Sequence, residues 1–220
     1  MKLVIFDLDG TILDTVKDLT SAVNHLLKQL NRPLIEANQV KAYLGQGPKY
    51  LLEHALNEPL EGELFDRYYK IYNDYYQAHQ LDYTKPYEGI PKVLNTLKKS
   101  GYLLAVVSNK QAPVTQSLME KLFPNTFDVV IGTSKINLPK PDPSMVLKVM
   151  EELKVTKEET IYIGDTQTDM KTAINADLVK IAVLYGFRTK EDLMPYEPEY
   201  FVSTPLEILE IMNTIKYSGS

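Results

Sequence analysis

A chain of 220 residues is long for one simple domain and short for two full ones, so one core plus an insertion is expected. Its composition is that of a globular chain, and a net charge of -5 with no basic block argues against nucleic acid as a partner. No segment reaches the ~18 consecutive apolar residues of a membrane span, the start "MKLVIFDLDG" lacks the apolar middle of a signal peptide, and cysteine is absent, so a cytoplasmic chain without disulfide or thiol chemistry is expected.

Taken in chain order, the first element is "KLVIFDL", a short apolar run that reads as a buried strand. Residues 15–82 then carry helical patterns near 15–30, 37–44, 48–57 and 61–80, with no convincing strand. In the last of these, Phe65, Tyr69, Tyr72 and Tyr76 share one helix face, a spacing that suits packing core better than a binding surface. His25, His54 and His79 lack metal-ligand spacing and read as structural or surface residues. Replacing Asp18, in the same region, is expected to matter far less for turnover than replacing the acids of the first strand.

From residue 83 onward strands and helices alternate. Apolar runs at 102–109, 127–132, 160–165, 180–186 and 200–203 are separated by helical patterns at 90–99, 111–122, 143–153, 168–176 and 205–214. Gly101 is a plausible stop for one helix, and Asp142 and Pro143 stand where another should begin. The tail "YSGS" is expected to lack order. The alternation predicts an α/β fold, a doubly wound parallel sheet over 1–14 and 83–220, with a helical insertion at 15–82 after the first strand.

Chemistry collects where strands end. Asp7 and Asp9 close the first strand, and residues i and i+2 of an extended chain point the same way. "YIGDTQTD" places Asp165 and Asp169 after a later strand, "VVSNK" places Ser108 and Asn109 after another, and "LPKPDP" places Lys140 in a proline-stiffened loop. Ligands of doubly wound folds bind at this carboxyl edge. Two carboxylates ~6 Å apart at an effective dielectric of ~20 repel by roughly 3 kcal/mol, so four of them call for a cation. Oxygen donors without His or Cys favour Mg2+ over zinc. Each group has a plainer reading too: Asp9 or Thr11 as a helix cap, although Asp14 or Thr15 is better placed, Asp165 and Asp169 as a cap and a first-turn acid, and Ser108–Lys110 as an ordinary loop. Their joint occurrence at successive strand ends favours the site.

"FDLDGTILDT", "VVSNK", "LPKPDP" and "IGDTQTD" resemble, in order, the four signature motifs of the haloacid dehalogenase superfamily. Within it, "DLDGTILDTVKDLTSAVNHLL", "YLGQGPKYLLEHAL", "PYEGI" and "AVLYGF" are similar to phosphoglycolate phosphatases. The resemblance implies an Mg2+-dependent phosphomonoester hydrolase acting on a small phosphorylated metabolite, 2-phosphoglycolate first. Asp7 would be the nucleophile that forms an aspartyl-phosphate, and Asp9 the general acid and base. Mg2+ would be held by Asp7, the backbone carbonyl of Asp9 and Asp165, with Asp169 in support. Ser108 and backbone N–H groups near Gly10 and Asn109 would bind the phosphoryl oxygens, Thr11 would be a further substrate-binding residue, and Lys140 would neutralise charge.

The insertion matches the position of a helical cap in such enzymes. Its "GQGPK" segment, with Gly47 and Lys49, is either a substrate loop or a helix-start turn. "NADLV" departs from the Ala-Gly of many relatives, and Asp177 tolerates a left-handed turn reasonably well. Pyrophosphatase and sugar phosphomutase activity are the alternatives within the superfamily. A phosphoryl-accepting signalling module is the alternative from another class, disfavoured because such modules are shorter and lack the insertion. A monomer or homodimer is expected.

Overall fold

The computed structural model describes residues 1–218. By its internal contacts the chain divides into two units, Met1–Leu13 with Pro86–Ser220, and Asp14–Lys85. Among the described residues no helix is long and apolar enough to cross a membrane.

The first unit is built on a six-stranded sheet of β1 (Leu3–Phe6), β4 (Leu103–Gln111), β5 (Val129–Thr133), β6 (Thr160–Gly164), β7 (Val179–Val183) and β8 (Tyr200–Val202). The short strands β2 (Leu13–Asp14) and β3 (Lys85–Pro86) pair where the chain passes from one unit to the other. The order in the large sheet is β5-β4-β1-β6-β7-β8, and every pairing is parallel. Such a sheet needs cover on both faces, which is why β1 (LVIF) and β6 (TIYIG) are buried at every residue. Its core joins Leu3, Ile5, Ala105, Val107, Ile131, Val146, Val149 and Tyr162.

The crossovers are α5 (Ile90–Lys99), α6 (Ala112–Leu122), α7 (Ser144–Leu153), α8 (Gln167–Asn175) and α9 (Lys190–Leu193), with α10 (Glu207–Ser218) closing the chain. Gly101 ends the α5 turn at φ +83, and Asp142 Oδ1 accepts the N–H of Ser144 at the start of α7. Asp177 takes the left-handed turn after α8, at φ +55. α10 runs through the first half of the tail that was expected to lack order, and Gly219 and Ser220 lie outside the described residues.

The second unit is all helical between its ends: α1 (Val16–Gln29), α2 (Ala37–Tyr43), α3 (Pro48–Leu56) and α4 (Gly62–His79). It is wider than the 15–82 read from the sequence, because Asp14 and Lys85 belong to paired strands too short to show a period. Thr15 is the N-cap of α1, but its hydroxyl makes no capping bond, and it is Asp18 that ties down the unit's exit: its buried carboxylate accepts from the N–H of Tyr83 (3.1 Å) and of Thr84 (2.8 Å). Its role there is structural, which the expectation about turnover does not address.

The tyrosine face of α4 is core over half its length. Tyr72 and Tyr76 are buried and stacked, whereas Phe65 and Tyr69 are only half-buried. The histidines pack on aromatic rings: His25 and His79 each stack on Tyr75, and His54 on Tyr50.

Candidate active site

The register of the sheet brings the motif-bearing strand ends together. Phe6 lies level with Val106 of β4 and Ile163 of β6, so Asp7, Ser108 and Asp165 all emerge at the carboxyl edge around the central strand. The N–H of Asp7 still donates to Ile163 O at 2.9 Å, which anchors the residue to the sheet.

Asp7, Asp165 and Asp169 are buried, and carboxylate oxygens from the three lie within 4.8 Å of one another. Lys140 stands among them. Its Nζ donates to Asp169 Oδ1 (2.6 Å), Asp7 Oδ1 (2.7 Å), the Tyr162 hydroxyl (3.1 Å) and Val107 O (3.2 Å). The Lys140 loop is held by Asn109, whose carboxamide accepts the Lys140 N–H at 2.7 Å and donates to its carbonyl at 3.1 Å.

Three acids against one ammonium leave a surplus of negative charge in a dry site. Burial, reinforced by the charge of Asp169, therefore pushes the Asp7 carboxyl up to about 7, and burial likewise drives Asp165 well above the usual carboxylate range. Burial alone would lower the Lys140 ammonium, but the charges of Asp169 and Asp7 outweigh it and hold it well above its ordinary value. A dense set of hard oxygen donors short of positive charge fits a divalent cation such as Mg2+.

Two of the acids are held by bonds that sequence alone does not reveal. Asp165 accepts the Thr11 hydroxyl at 3.0 Å on one oxygen and the Phe187 N–H at 2.7 Å on the other. Asp169 serves both as capping acid and as cluster member. Oδ2 accepts the Thr166 N–H (3.0 Å) and hydroxyl (2.6 Å) at the start of α8, while Oδ1 faces Lys140 and Tyr162. The plainer reading of Asp169 as a first-turn acid holds beside its place in the acid cluster.

Small residues make room for this packing. A Cβ on Gly10, which sits at φ +91, would lie 2.2 Å from Asp165 Oδ2, and one on Gly186 would lie 2.4 Å from Gly10 O and 2.5 Å from Asp165. Gly186 was visible only as part of "AVLYGF", with no signal of what it approaches.

Two expected substrate contacts are corrected. The N–H of Gly10 donates to Leu13 O and that of Thr11 to Leu8 O, so both are used inside the turn, and the Thr11 hydroxyl is committed to Asp165. Thr11 is therefore a support for Asp165. Ser108 Oγ accepts the Lys110 N–H at 3.1 Å and keeps its own hydrogen to donate. Asp9 is only partly buried, and Lys110 Nζ stands 2.9 Å from its Oδ1, an ion pair without hydrogen-bond alignment. Lys110 and Tyr162 are the residues here that the sequence reading did not assign.

In the helical unit, Gly47 adopts φ +88 as the N-cap of α3, with Pro48 at its first turn, the geometry of a helix start. Exposed Lys49 follows, its ammonium 3.4 Å from Glu61 and 3.7 Å from Glu53.

Comparison with known proteins agrees with this arrangement. Residues 4–183 match the family described as haloacid dehalogenase-like hydrolase. The chain is 32% identical to a phosphoglycolate phosphatase of Aquifex aeolicus, covering 97% of each chain. It is 31% identical to a phosphoglycolate phosphatase of Colwellia psychrerythraea, over 94% of this chain and 95% of that one. A crystal structure from Lactobacillus delbrueckii subsp. bulgaricus superposes with a TM-score of 0.89 at 32% identity, covering 96% of this chain and 97% of that one. A haloacid dehalogenase-like family hydrolase from Streptococcus pneumoniae gives 0.86 at 27%, with 96% and 98% covered. The chain belongs to the haloacid dehalogenase-like hydrolases, and it is a phosphatase of that family.

Proposed function

We propose that this haloacid dehalogenase-like phosphatase is an Mg2+-dependent phosphomonoester hydrolase that works through an aspartyl-phosphate on Asp7, with 2-phosphoglycolate as its favoured substrate. The observation that carries the mechanism is the Asp7 carboxylate, held at 2.7 Å by buried Lys140 within a cluster of acids short of positive charge. The substrate rests on the relatives of about 30% identity that bear that activity in their names.

In this reading Asp7 attacks phosphorus and the bond to the leaving oxygen breaks, while Asp9 gives that oxygen a proton. Asp9 then takes a proton from the water that attacks the aspartyl-phosphate and frees Asp7. Ser108 donates to a phosphoryl oxygen with the hydrogen that its contact to Lys110 leaves available. Lys140 keeps the Asp7 oxygens oriented and offsets the charge gathered at phosphorus. Mg2+, held by Asp7, the Asp9 carbonyl and Asp165 with Asp169 in support, would supply further positive charge to the phosphoryl group. The helical unit carries substrate choice, with Lys49 as the cation for a second anionic group.

The test is phosphate release from 2-phosphoglycolate, a hexose phosphate and pyrophosphate, each with Mg2+ and with chelator. Mg2+-dependent turnover fastest on 2-phosphoglycolate is expected. Full activity in chelator would sink the metal assignment, and preference for either of the other substrates would reassign the substrate.

A further inference from the structure

β4 does not end as a regular strand. Its pairing with β5 runs Ser108↔Gly132 and then jumps to Gln111↔Thr133, so Asn109 and Lys110 bulge out at the carboxyl edge. Bulges of this kind re-aim a side chain. This one is held from several sides: the Lys110 N–H donates to Ser108 Oγ (3.1 Å), and the Lys110 carbonyl accepts the Thr115 hydroxyl (3.2 Å). The Asn109 carbonyl accepts the Thr133 hydroxyl (3.3 Å). A Cβ on Gly132 would lie 2.6 Å from the Lys110 carbonyl, so the bulge needs a glycine opposite. The fixed backbone delivers a long cation, only 8% exposed in its side chain, to Asp9 Oδ1 at 2.9 Å.

We propose that Lys110 is a positioning residue for Asp9: it fixes the carboxyl group through Oδ1, so that the proton exchanged with the leaving oxygen resides on Oδ2. The proposal rests on the reading of Asp9 as the general acid and base. A lysine is suited to this because its length spans from the bulge to the neighbouring strand end, and its compact ammonium holds Oδ1 by charge at 2.9 Å.

The test separates proton delivery from other roles by leaving group. The alkoxide of ethyl phosphate must be protonated as it departs, whereas p-nitrophenolate leaves without a proton. Lys110→Met, Lys110→Arg and Asp9→Asn are assayed on both esters. Lys110→Met should lose about 10–100-fold in kcat/KM on ethyl phosphate, the scale of a catalytic group displaced by about an ångström, and far less on p-nitrophenyl phosphate; kcat/KM covers the steps up to departure of the leaving group and leaves out the hydrolysis of the aspartyl-phosphate that both esters share. Lys110→Arg should recover most of the loss, and Asp9→Asn should show the same substrate bias more strongly. Equal losses on both esters for Lys110→Met, with the bias intact in Asp9→Asn, would overturn the proposal alone, as would no loss on either. Absence of bias in Asp9→Asn itself would remove the reading of Asp9 and the proposal with it. Should Lys110→Met not fold, Lys110→Gln makes the same comparison.

Discussion

The carboxamide of Asn109 and the backbone of Lys140 are joined by a reciprocal pair of hydrogen bonds, 2.7 Å into Asn109 Oδ1 and 3.1 Å out of Nδ2. The end of β4 thereby fixes the loop that carries the central ammonium. Asn109→Ala should cost about 1–3 kcal/mol through the buried backbone groups left unpaired, read as a lower melting temperature, and should lower kcat. Unchanged kcat with reduced stability would confine Asn109 to the fold.

Charge in the acid cluster sets a pH dependence whose sign follows from Asp7. Burial and the charge of Asp169 lift its carboxyl from 3.8 to about 7. Between roughly pH 4 and 7 the folded chain then binds more protons than the unfolded one, so stability falls as pH rises and the deficit is complete above 7. In chelator, the melting temperature from this contribution should be higher at pH 5 than at pH 8. Mg2+ should raise it more at pH 8 than at pH 5, because the cation binds the ionised cluster. An Mg2+ shift equal at the two pH values would contradict the assignment of the cation to these acids.

Gly10→Ala should be among the most damaging single-methyl additions in the chain. The new Cβ meets Asp165 Oδ2 at 2.2 Å on a backbone at φ +91, so either the turn or Asp165 must move. A loss of about 1–3 kcal/mol is expected from the overpacking and the backbone strain, together with weakened Mg2+ binding by calorimetry. Normal Mg2+ affinity would show that the turn yields and Asp165 does not.

Asp18→Asn keeps the shape of the side chain but removes the charge that gathers the N–H groups of Tyr83 and Thr84. Bonds to a buried carboxylate are stronger than bonds to an amide, and the amide nitrogen would face these donors or turn away, so about 1–2 kcal/mol of stability should be lost. Slower exchange of the Thr84 amide hydrogen in the variant than in the parent would refute this.

Lys49→Ala should reduce kcat/KM for 2-phosphoglycolate more than for p-nitrophenyl phosphate. The effect should stay below about tenfold, because the ammonium is half-exposed and already engaged by Glu61 and Glu53, and exposed pairs are worth ~1 kcal/mol or less. Equal losses on the two substrates would make Lys49 a helix-surface residue.

The strand ends that carry acids, hydroxyl and lysine were legible in the sequence because each is a local pattern: an apolar run, then a turn, then a polar group. The parallel core was legible for the same reason, since strands buried on both faces read as unbroken apolar runs alternating with helical periods. Helix boundaries at Gly101 and Asp142 were equally local.

Which side chain faces which was decided by tertiary structure. Lys140 meets Asp7 across 133 residues and Thr11 meets Asp165 across 154, and no spacing in the chain encodes either contact. The turn after β1 absorbed the N–H groups of Gly10 and Thr11 that the motif offered to substrate, because a tight turn satisfies its own donors first. Lys110 reads from sequence as one more loop cation. The bulge in β4 and the missing side chain of Gly132 are what turn it onto Asp9, and both come from strand register, a property of the assembled sheet.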